Sequence, residues 1–308
     1  MSARTAAEPR VRRLRRIAAL ALILSMAAFL MPDSGVRTGQ VMLMKVDSAE
    51  GVDGPDHMIW ILALGSDARQ GQDPLSSRAD AIQMIGVDLR SGKGAVIGIP
   101  RDSWVSIPGY GSNRINAALT YGGTQLMAQT VGNLVGVQPD YVFVTTFIGF
   151  KAMIDALGGI TVYSRLAFTD DNMIGDIHQG ENRLNGFSAL FFSRARHYLP
   201  QGDFDRSANQ QETLRGVLRE IRAHQDDPGF MERATLSAMQ NLYTNLSPAE
   251  IYRLGQAATG IDPKHFEGCV VQGSYGTVNG ASIVFPDTAQ AARLGADAKD
   301  DAQFDQPC

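Results

Sequence analysis

The stretch Ile59-Trp-Ile-Leu-Ala-Leu64 is an uninterrupted apolar run that ends at Gly65. A short apolar run closed by a glycine is typical of a strand that is buried on both faces of a sheet. Similar runs follow at residues 81–88 and 94–99, and the turn sequence Arg90-Ser-Gly-Lys93 joins them. This region therefore predicts three strands that are close in the chain and neighbours in one sheet.

Strands and helices alternate in the rest of the chain. Further strands are predicted at residues 141–146 and 160–163, and helices at residues 116–123, 123–135, 149–157, 184–192 and 203–224. Asp203 is expected to cap the last of these helices, because an Asp side chain accepts hydrogen bonds from the free backbone N–H groups of a first turn. The alternation predicts an α/β fold in which helices sandwich a mixed central β-sheet.

Composition excludes several classes of protein. With 44% hydrophobic and 19% charged residues among 308, the chain is not disordered or fibrous. After residue 16 it carries 22 Lys and Arg against 31 Asp and Glu. Because a nucleic-acid binder needs a broad basic face, we expect no nucleic-acid partner.

The N-terminus combines a basic segment with an apolar one. Residues 1–16 contain six arginines and one glutamate, and residues 17–31 are fifteen residues without a charge. A signal peptide or a transmembrane anchor fits this pattern better than a buried core helix, and both place the rest of the chain outside the cytoplasm. We expect a retained single-pass anchor, because Phe29, Leu30 and Met31 follow the small residues that a cleavage site needs.

The predicted organisation has five parts. They are a cytoplasmic tail (1–16), a membrane anchor (17–31), a linker (32–57), an extracytoplasmic domain (58–287) and a C-terminal tail (288–308). The two cysteines, Cys269 and Cys308, are either bridged or unpaired, since sequence does not fix their distance. Neither the cysteines nor the histidines have the spacing of a zinc site.

Two carboxylates lie next to the ends of neighbouring predicted strands. Asp67 comes after the first strand, and Asp80 comes just before the second. At one edge of a sheet such a pair suits Mg²⁺, which keeps several waters and takes other ligands from substrate phosphates. The alternative is that Asp67 and Asp80 simply form surface ion pairs with Arg69 and Arg78.

Arginines also gather near the ends of predicted elements. Arg194 and Arg196 are two residues apart and face the same way if the backbone is extended, whereas Arg206 and Gln210 are four apart and share a helix face. Clustered guanidinium groups are suited to a pyrophosphate, because they are always charged and bind oxygen pairs bidentately. A solvated charged strip is the alternative.

At these residues the sequence resembles the LytR-CpsA-Psr family of cell-envelope phosphotransferases. The resemblance covers about residues 59–223 and rests on motifs that occur in the family's order. They are Gly-Ser-Asp67-Ala-Arg69, Arg78-Ala-Asp80, Ile-Pro-Arg101-Asp102, Arg114-Ile-Asn116-Ala-Ala, Tyr121-Gly-Gly123, Asp155-Ala-Leu-Gly-Gly159, Leu184-Asn-Gly-Phe-Ser-Ala-Leu190, Arg194-Ala-Arg196 and Gly-Asp203-Phe-Asp-Arg206 with Gln210-Gln211. Gly98 departs from the pattern, because the family usually has serine there.

The resemblance implies transfer of a glycopolymer from a polyprenyl-pyrophosphate carrier to peptidoglycan at the cell membrane. It implies that Asp67 and Asp80 hold Mg²⁺. The implied pyrophosphate ligands are Arg78, Arg101, Arg194, Arg196, Arg206 and Gln210. The implied catalytic residues are Arg101, Asp102 and Asp203, with Asp102 or Asp203 as the base that accepts a proton from the sugar hydroxyl.

Two other functions are compatible with the same residues. A pyrophosphatase would act on the same lipid carriers with water in place of the sugar hydroxyl. A non-catalytic regulator of the envelope would bind the lipid phosphate but would have no need of two metal carboxylates. Serine hydrolysis and dinucleotide binding are disfavoured, because the sequence has neither GxSxG nor a GxGxxG after the first strand.

Overall fold

The computed structural model describes residues 44–45, 57–169, 176–196, 199–244 and 246–308. The predicted cytoplasmic tail (1–16) and transmembrane anchor (17–31), with most of the predicted linker, lie outside these residues. Across the described ranges, no helix has both the length and the apolar character needed to cross a bilayer.

Groups of strands and groups of helices follow one another along the described residues. The strands are β1 (Met44–Lys45), β2 (Met58–Ser66), β3 (Ala79–Asp88), β4 (Lys93–Gly98), β5 (Trp104–Ile107), β6 (Gly111–Arg114), β7 (Tyr141–Thr146), β8 (Ile160–Ser164), β9 (Phe168–Thr169), β10 (Asp176–Ile177), β11 (Gly180–Leu184), β12 (Leu242–Tyr243), β13 (Phe266–Val270), β14 (Gly273–Val278) and β15 (Ala281–Pro286). The helices are α1 (Ala117–Val135), α2 (Phe147–Ala156), α3 (Gly186–Arg194), α4 (Asp203–His224), α5 (Phe230–Asn241), α6 (Pro248–Thr259) and α7 (Thr288–Ala298), with a 3₁₀ helix at Pro263–His265.

The central sheet is mixed, as predicted. Its strands lie in the order β1-β7-β2-β3-β4-β13, and β12 also pairs with β7. Strands β2 and β7 are parallel, as are β4 and β13, whereas β3 is antiparallel to both of its neighbours. The C-terminal ends of β2, β4, β7 and β13 therefore lie at the same edge, together with the start of β3.

Helices cover both faces of this sheet. On one face, Leu62 of β2 and Met84 of β3 pack with Met127 of α1 in the main core cluster. On the other face, Val87 of β3 packs with Leu218 of α4. The alternation of side chains along each strand sends neighbours into different layers, so two separate cores hold one sheet.

The C-terminal region belongs to the same packed structure. Residues 288–308 were predicted as a tail, but they contain α7, whose Leu294 and Ala298 are completely buried in the main core cluster. Cys269 of β13 forms a disulfide with Cys308, with 5.4 Å between the two Cα atoms. The bridge settles the alternative that the sequence left open.

Candidate active site

Three of the predicted motifs meet at one edge of the central sheet. The backbone N–H of Asp67, just beyond β2, donates to the Arg78 carbonyl at 2.9 Å, just before β3 begins. The pairing of β3 with β4 places Gln83 opposite Gly98, and the same register continued outward places Asp80 opposite Arg101. Arg101 Nη1 contacts Asp80 Oδ1 directly.

Asp102 lies among three guanidinium groups. Its carboxylate oxygens are 3.8 Å from Arg101 Nε, 3.7 Å from Arg114 Nε and 3.6 Å from Arg196 Nη1. The Asp102 backbone carbonyl accepts a hydrogen bond from Val284 N at 2.9 Å. Three guanidinium groups therefore surround the Asp102 carboxylate, and the β14–β15 hairpin fixes the Asp102 backbone.

Asp203 joins the remaining arginine to this group. It is only 3% exposed, and its Oδ1 lies 3.3 Å from Arg196 Nε and 3.2 Å from Arg206 Nη2. Arg196 thus contacts both Asp102 and Asp203. We call Arg101, Arg114, Arg196 and Arg206, together with Asp80, Asp102 and Asp203, the arginine–aspartate cluster.

The expectation that Asp203 caps α4 is wrong. Asp203 is the first helical residue, and Gly202, with φ of 51°, occupies the cap position without a side chain. The Tyr275 hydroxyl caps the helix instead, since it accepts from Asp203 N at 3.2 Å and donates to the Gln201 carbonyl at 2.9 Å. Because a distant tyrosine serves as the cap, the Asp203 carboxylate is free to pair with arginines.

Burial shifts the pKa values of Arg206 and Asp102 in the cluster. Burial lowers the pKa of Arg206, and nearby Arg101 acts in the same direction, although Asp203 opposes it. Burial likewise raises the pKa of Asp102; Arg101 opposes this rise, and the adjacent Asp203 carboxylate adds to it. A carboxylate with a raised pKa is a better proton acceptor when it is ionised, which is what a general base requires.

The other predicted pyrophosphate ligands have different neighbours. Arg78 is largely exposed and lies 3.4 Å from Asp67 Oδ2. Arg194 ends α3, and its guanidinium packs over the Phe147 ring at 4.2 Å from the ring centroid. Because Arg194 is still helical, the condition of an extended backbone through both arginines is not met, and Arg194 and Arg196 contact different groups.

Gln210 is engaged with the protein itself. Its Oε1 accepts from Gln83 Nε2 at 2.9 Å, and its Nε2 donates to the Ser193 carbonyl at 3.2 Å. Gln210 shares a helix face with Arg206, as predicted, but these contacts join α4 to β3 and α3. Its predicted role as a pyrophosphate ligand stays a prediction.

The glycine at position 98 is explained by this same contact between helix and sheet. A Cβ added to Gly98 would collide with the Ser207 hydroxyl and lie 2.7 Å from Gln211 Nε2. Gln211 in turn donates to the Cys269 carbonyl at 2.8 Å. Gly98 therefore lets α4, which carries Arg206, approach the sheet closely.

Asp67 and Asp80 are the residues with the right chemistry for a magnesium ion. They leave adjacent strand ends at the same sheet edge, and Mg²⁺ needs only one or two protein carboxylates when waters and phosphates complete its shell. Asp67 Oδ1 accepts from Arg78 N at 3.0 Å, and Asp80 contacts Arg101. Over the residues that the structure covers, no group of three or more His, Cys, Asp or Glu forms a metal site.

Two residues of the site were missed by the sequence reasoning. Arg114 was quoted within a motif but given no role, although the motif itself signalled its importance. Tyr275 lies 72 residues beyond Asp203 and carries no local pattern that could have revealed its contact with the helix N-terminus.

Cavity volume does not locate the site. A groove of about 1120 Å³ is lined by Arg215, Arg219 and Arg222 of α4 and by residues near Cys308, and it includes none of the predicted site residues. These arginines are bound to backbone carbonyls and acids; Arg215, for example, donates to the Phe266 carbonyl and to Glu212. Charge and motif convergence locate the candidate site instead.

Comparison with known proteins identifies the family. The model of the LytR_cpsA_psr family matches residues 36–300. The chain is 34% identical over 196 residues to the polyisoprenyl-teichoic acid–peptidoglycan teichoic acid transferase TagU of Bacillus anthracis, which is 63% of this chain and 62% of TagU. It is 35% identical over 179 residues to the regulatory protein MsrR of Staphylococcus aureus, 58% of this chain and 54% of MsrR. The matches thus span about three fifths of TagU and about half of MsrR.

Solved structures agree with this result. The crystal structure of B. subtilis TagV superimposes with a TM-score of 0.68 at 26% identity and covers 81% of this chain and 98% of TagV. A structure of TagT bound to LI-WTA gives a TM-score of 0.64 at 24% identity over 82% of this chain and 93% of TagT, which supports the fold alone. Since the family model spans most of the chain and the fold agrees, the chain belongs to the LytR_cpsA_psr family.

Proposed function

We propose that this protein is a phosphotransferase that moves a glycopolymer from a polyprenyl-pyrophosphate carrier to peptidoglycan in a magnesium-dependent reaction. The observation that carries the proposal is the arginine–aspartate cluster, in which four guanidinium groups meet at one sheet edge. The name of the TagU relative, a teichoic acid transferase, supports the same reaction type.

The reaction needs one bond formed and one broken. The acceptor hydroxyl, expected to be the C6 hydroxyl of N-acetylmuramic acid, attacks the phosphorus that bears the glycopolymer. The P–O bond to the polyprenyl phosphate breaks, and polyprenyl phosphate leaves with the electron pair. The hydroxyl proton passes to a carboxylate, so the products are a phosphodiester on peptidoglycan and the lipid phosphate.

The arginines of the cluster suit the phosphate groups. Phosphoryl transfer depends on positioning and on neutralising charge, which guanidinium groups do well. Arg196 already holds two carboxylate groups, Asp102 and Asp203, in one fork. Arg101 and Arg196 share Asp102, and Arg196 and Arg206 share Asp203, so the three guanidinium groups lie close together. A pyrophosphate that replaced these carboxylates would bind the same three arginines.

Asp102 is the stronger candidate for the base. It is more exposed than Asp203, with 15% of its side chain accessible against 3%, so a hydroxyl group reaches it more easily. Burial raises the pKa of Asp102, which strengthens it as a proton acceptor. Asp203, buried between Arg196 and Arg206, instead orients these arginines.

Asp67 and Asp80 would hold the magnesium ion. The ion would neutralise phosphate charge during transfer, a role that Mg²⁺ has in many phosphoryl-transfer enzymes. The partners would then be the lipid-linked glycopolymer, peptidoglycan and the membrane. We also propose a single-pass membrane location with the domain outside the cytoplasm, for which residues 1–31 supply the basic and apolar segments.

The test is transfer of a lipid-linked glycopolymer to peptidoglycan by the purified full chain, with and without Mg²⁺. Arg196→Ala and Asp80→Ala should each abolish transfer. Arg90→Ala is the matched control, because Arg90 lies in the β3–β4 turn at the opposite edge of the sheet. Unchanged transfer in Arg196→Ala would refute the assignment.

The same assay separates the alternatives. Release of polymer without peptidoglycan would identify a pyrophosphatase that uses water. Lipid binding without turnover would identify a non-catalytic regulator; the MsrR relative is named a regulatory protein.

A further inference from the structure

Two exposed tyrosines form a stacked pair near the arginine–aspartate cluster. The rings of Tyr110 and Tyr121 lie with their centroids 5.0 Å apart and their planes 17° from parallel. Tyr110 is 55% exposed and Tyr121 is 41% exposed. Large aromatic side chains that stay this accessible offer apolar area to a ligand at a low cost in conformational freedom.

The backbone holds both rings in place. Tyr110 lies in the turn between β5 and β6, between Gly109 and Gly111, whose φ values are 78° and 73°. Tyr121 directly precedes the kink of α1 at Gly122 and Gly123, where the helical backbone is interrupted. The Tyr110 hydroxyl donates to the Tyr121 carbonyl at 3.1 Å, so the turn and the kink are joined.

A short series of contacts connects the pair to the cluster. Asn113 Nδ2 donates to the Tyr121 hydroxyl at 2.7 Å, and Asn113 Oδ1 accepts from Arg114 N at 2.8 Å. Arg114 Nε lies 3.7 Å from Asp102, the proposed base. Asn113 and Arg114 therefore link the pair to the proposed base.

The surrounding sequence is nearly free of charge. Between residues 103 and 139 the only charged residue is Arg114, and Ser112, Asn113 and Thr120 supply uncharged hydrogen-bonding groups. The segment that carries both tyrosines is therefore better suited to an uncharged sugar than to a polyanion, because the C–H face of a sugar packs on an aromatic ring while its hydroxyls bind amides and hydroxyls.

We propose that Tyr110 and Tyr121 form a subsite for a pyranose of the acceptor glycan strand, next to the sugar whose hydroxyl reacts at Asp102. This inference rests on the proposed function and extends it by naming the acceptor side of the site. The stacked pair binds an uncharged sugar ring on its outer face. The second N–H of the Asn113 amide donates to the sugar and the Tyr110 hydroxyl oxygen accepts from it, which fixes the ring's orientation.

The first experiment measures binding without catalysis. The β-1,4-linked tetramer of N-acetylglucosamine, an uncharged analogue of a glycan strand, is titrated into the protein and followed by calorimetry. Tyr110→Ala should weaken binding about tenfold, a change equal to roughly 1.4 kcal/mol. Tyr110→Trp should retain or strengthen binding, because it enlarges the ring face.

Matched controls distinguish a sugar site from a structural contact. Tyr163 is 50% exposed on β8 and is not part of the pair, so Tyr163→Ala should leave binding unchanged. Thermal unfolding of each variant shows whether the fold is intact. Equal binding by the wild type and Tyr110→Ala, with both folded, would overturn the proposal, as would failure of the wild type to bind the tetramer.

The second experiment tests whether the subsite binds the acceptor or the donor substrate. In the transfer assay Tyr110→Ala should raise KM for peptidoglycan and leave KM for the lipid-linked donor unchanged; a rise confined to the donor would overturn the assignment to the acceptor. Sugar binding by a wild type that does not transfer would contradict only the proposed function. Transfer that Arg196→Ala abolishes and Tyr110→Ala leaves intact would contradict only the subsite.

Discussion

Removal of the Cys269–Cys308 disulfide should destabilise the protein strongly. The bridge joins residues separated by 39 positions. Closing a loop of this length lowers the conformational entropy of the unfolded chain. In the loop-entropy description this raises the free energy of the unfolded state by about 4 kcal/mol. The loop contains the β14–β15 hairpin and α7, so the restraint acts on elements that contact the site.

The effect should extend to the arginine–aspartate cluster. Within the closed loop, Tyr275 caps Asp203 N and Val284 N donates to the Asp102 carbonyl. If this segment becomes more mobile, the Asp102 and Asp203 carboxylates should become less well ordered. For a domain of this size, about 4 kcal/mol corresponds to a fall in the melting temperature of roughly 8–16 °C.

Calorimetry of the Cys269→Ala/Cys308→Ala variant measures this fall. Replacing both cysteines avoids a reactive free thiol, and Ala suits position 269 because Cys269 is 1% exposed. A reductant should lower the melting temperature of the wild type toward that of the variant and should not affect the variant. A fall below about 2 °C would refute the reasoning and show that packing of α7, through residues such as Leu294, already fixes the segment.

Further predictions follow from single contacts. Gly98→Ala should destabilise the fold by about 1–3 kcal/mol in urea unfolding, because a Cβ there forces α4 away from the sheet. Asp203→Asn should cost about 3–5 kcal/mol in the same assay, since it leaves the Arg206 charge buried without its partner. Glu250 has a lowered pKa from hydrogen bonds at the start of α6, so its contribution to stability is present above its ordinary pKa of 4.5 and is lost as pH falls through the lower folded value. The raised pKa of Asp102 should place the acid limb of the pH–rate profile above the ordinary value of 3.8.

Each of these predictions has a result that contradicts it. A Gly98→Ala protein with wild-type stability would show that the α4–sheet contact is loose. Unchanged unfolding of Asp203→Asn would mean that Arg206 finds other acceptors. Glu250→Gln should reduce the loss of melting temperature at acid pH. The same pH dependence in the variant and the wild type would show that Glu250 makes no such contribution. An acid limb at or below 3.8 would exclude Asp102 as the base.

The fold was largely predictable because its strands are short, apolar and bounded by turn residues. The runs at 59–64, 81–88 and 94–99 correspond to β2, β3 and β4, and Gly122–Gly123 interrupts α1 between the two predicted helices. These features depend on local sequence. Helix α7 lay within a predicted tail because its burial depends on contacts with the distant α1, which the sequence pattern did not indicate.

The site was predictable where strand ends fix its geometry and unpredictable where distant elements do. Asp80 and Arg101 meet because the β3–β4 register places them opposite each other. Arg194 and Arg196 diverge because α3 continues through Arg194, and a spacing of two residues does not show where a helix ends. The contact of Tyr275 with Asp203 likewise depends on how a late hairpin folds back.

The charge of the arginine–aspartate cluster gives a physical reason for the proposed magnesium ion. Its members are Arg101, Arg114, Arg196, Arg206, Asp80, Asp102 and Asp203. Four guanidinium groups against three carboxylates leave one net positive charge, whereas a pyrophosphate diester carries two negative charges. A divalent cation (+2) bound with the additional Asp67 carboxylate (−1) would bring the net charge to two positive charges, which balances the pyrophosphate, and would release Arg101 from Asp80 to bind phosphate. The carboxylates would then keep the arginines ordered before the substrate arrives, and the proposed metal would favour the replacement of carboxylate by phosphate at these arginines.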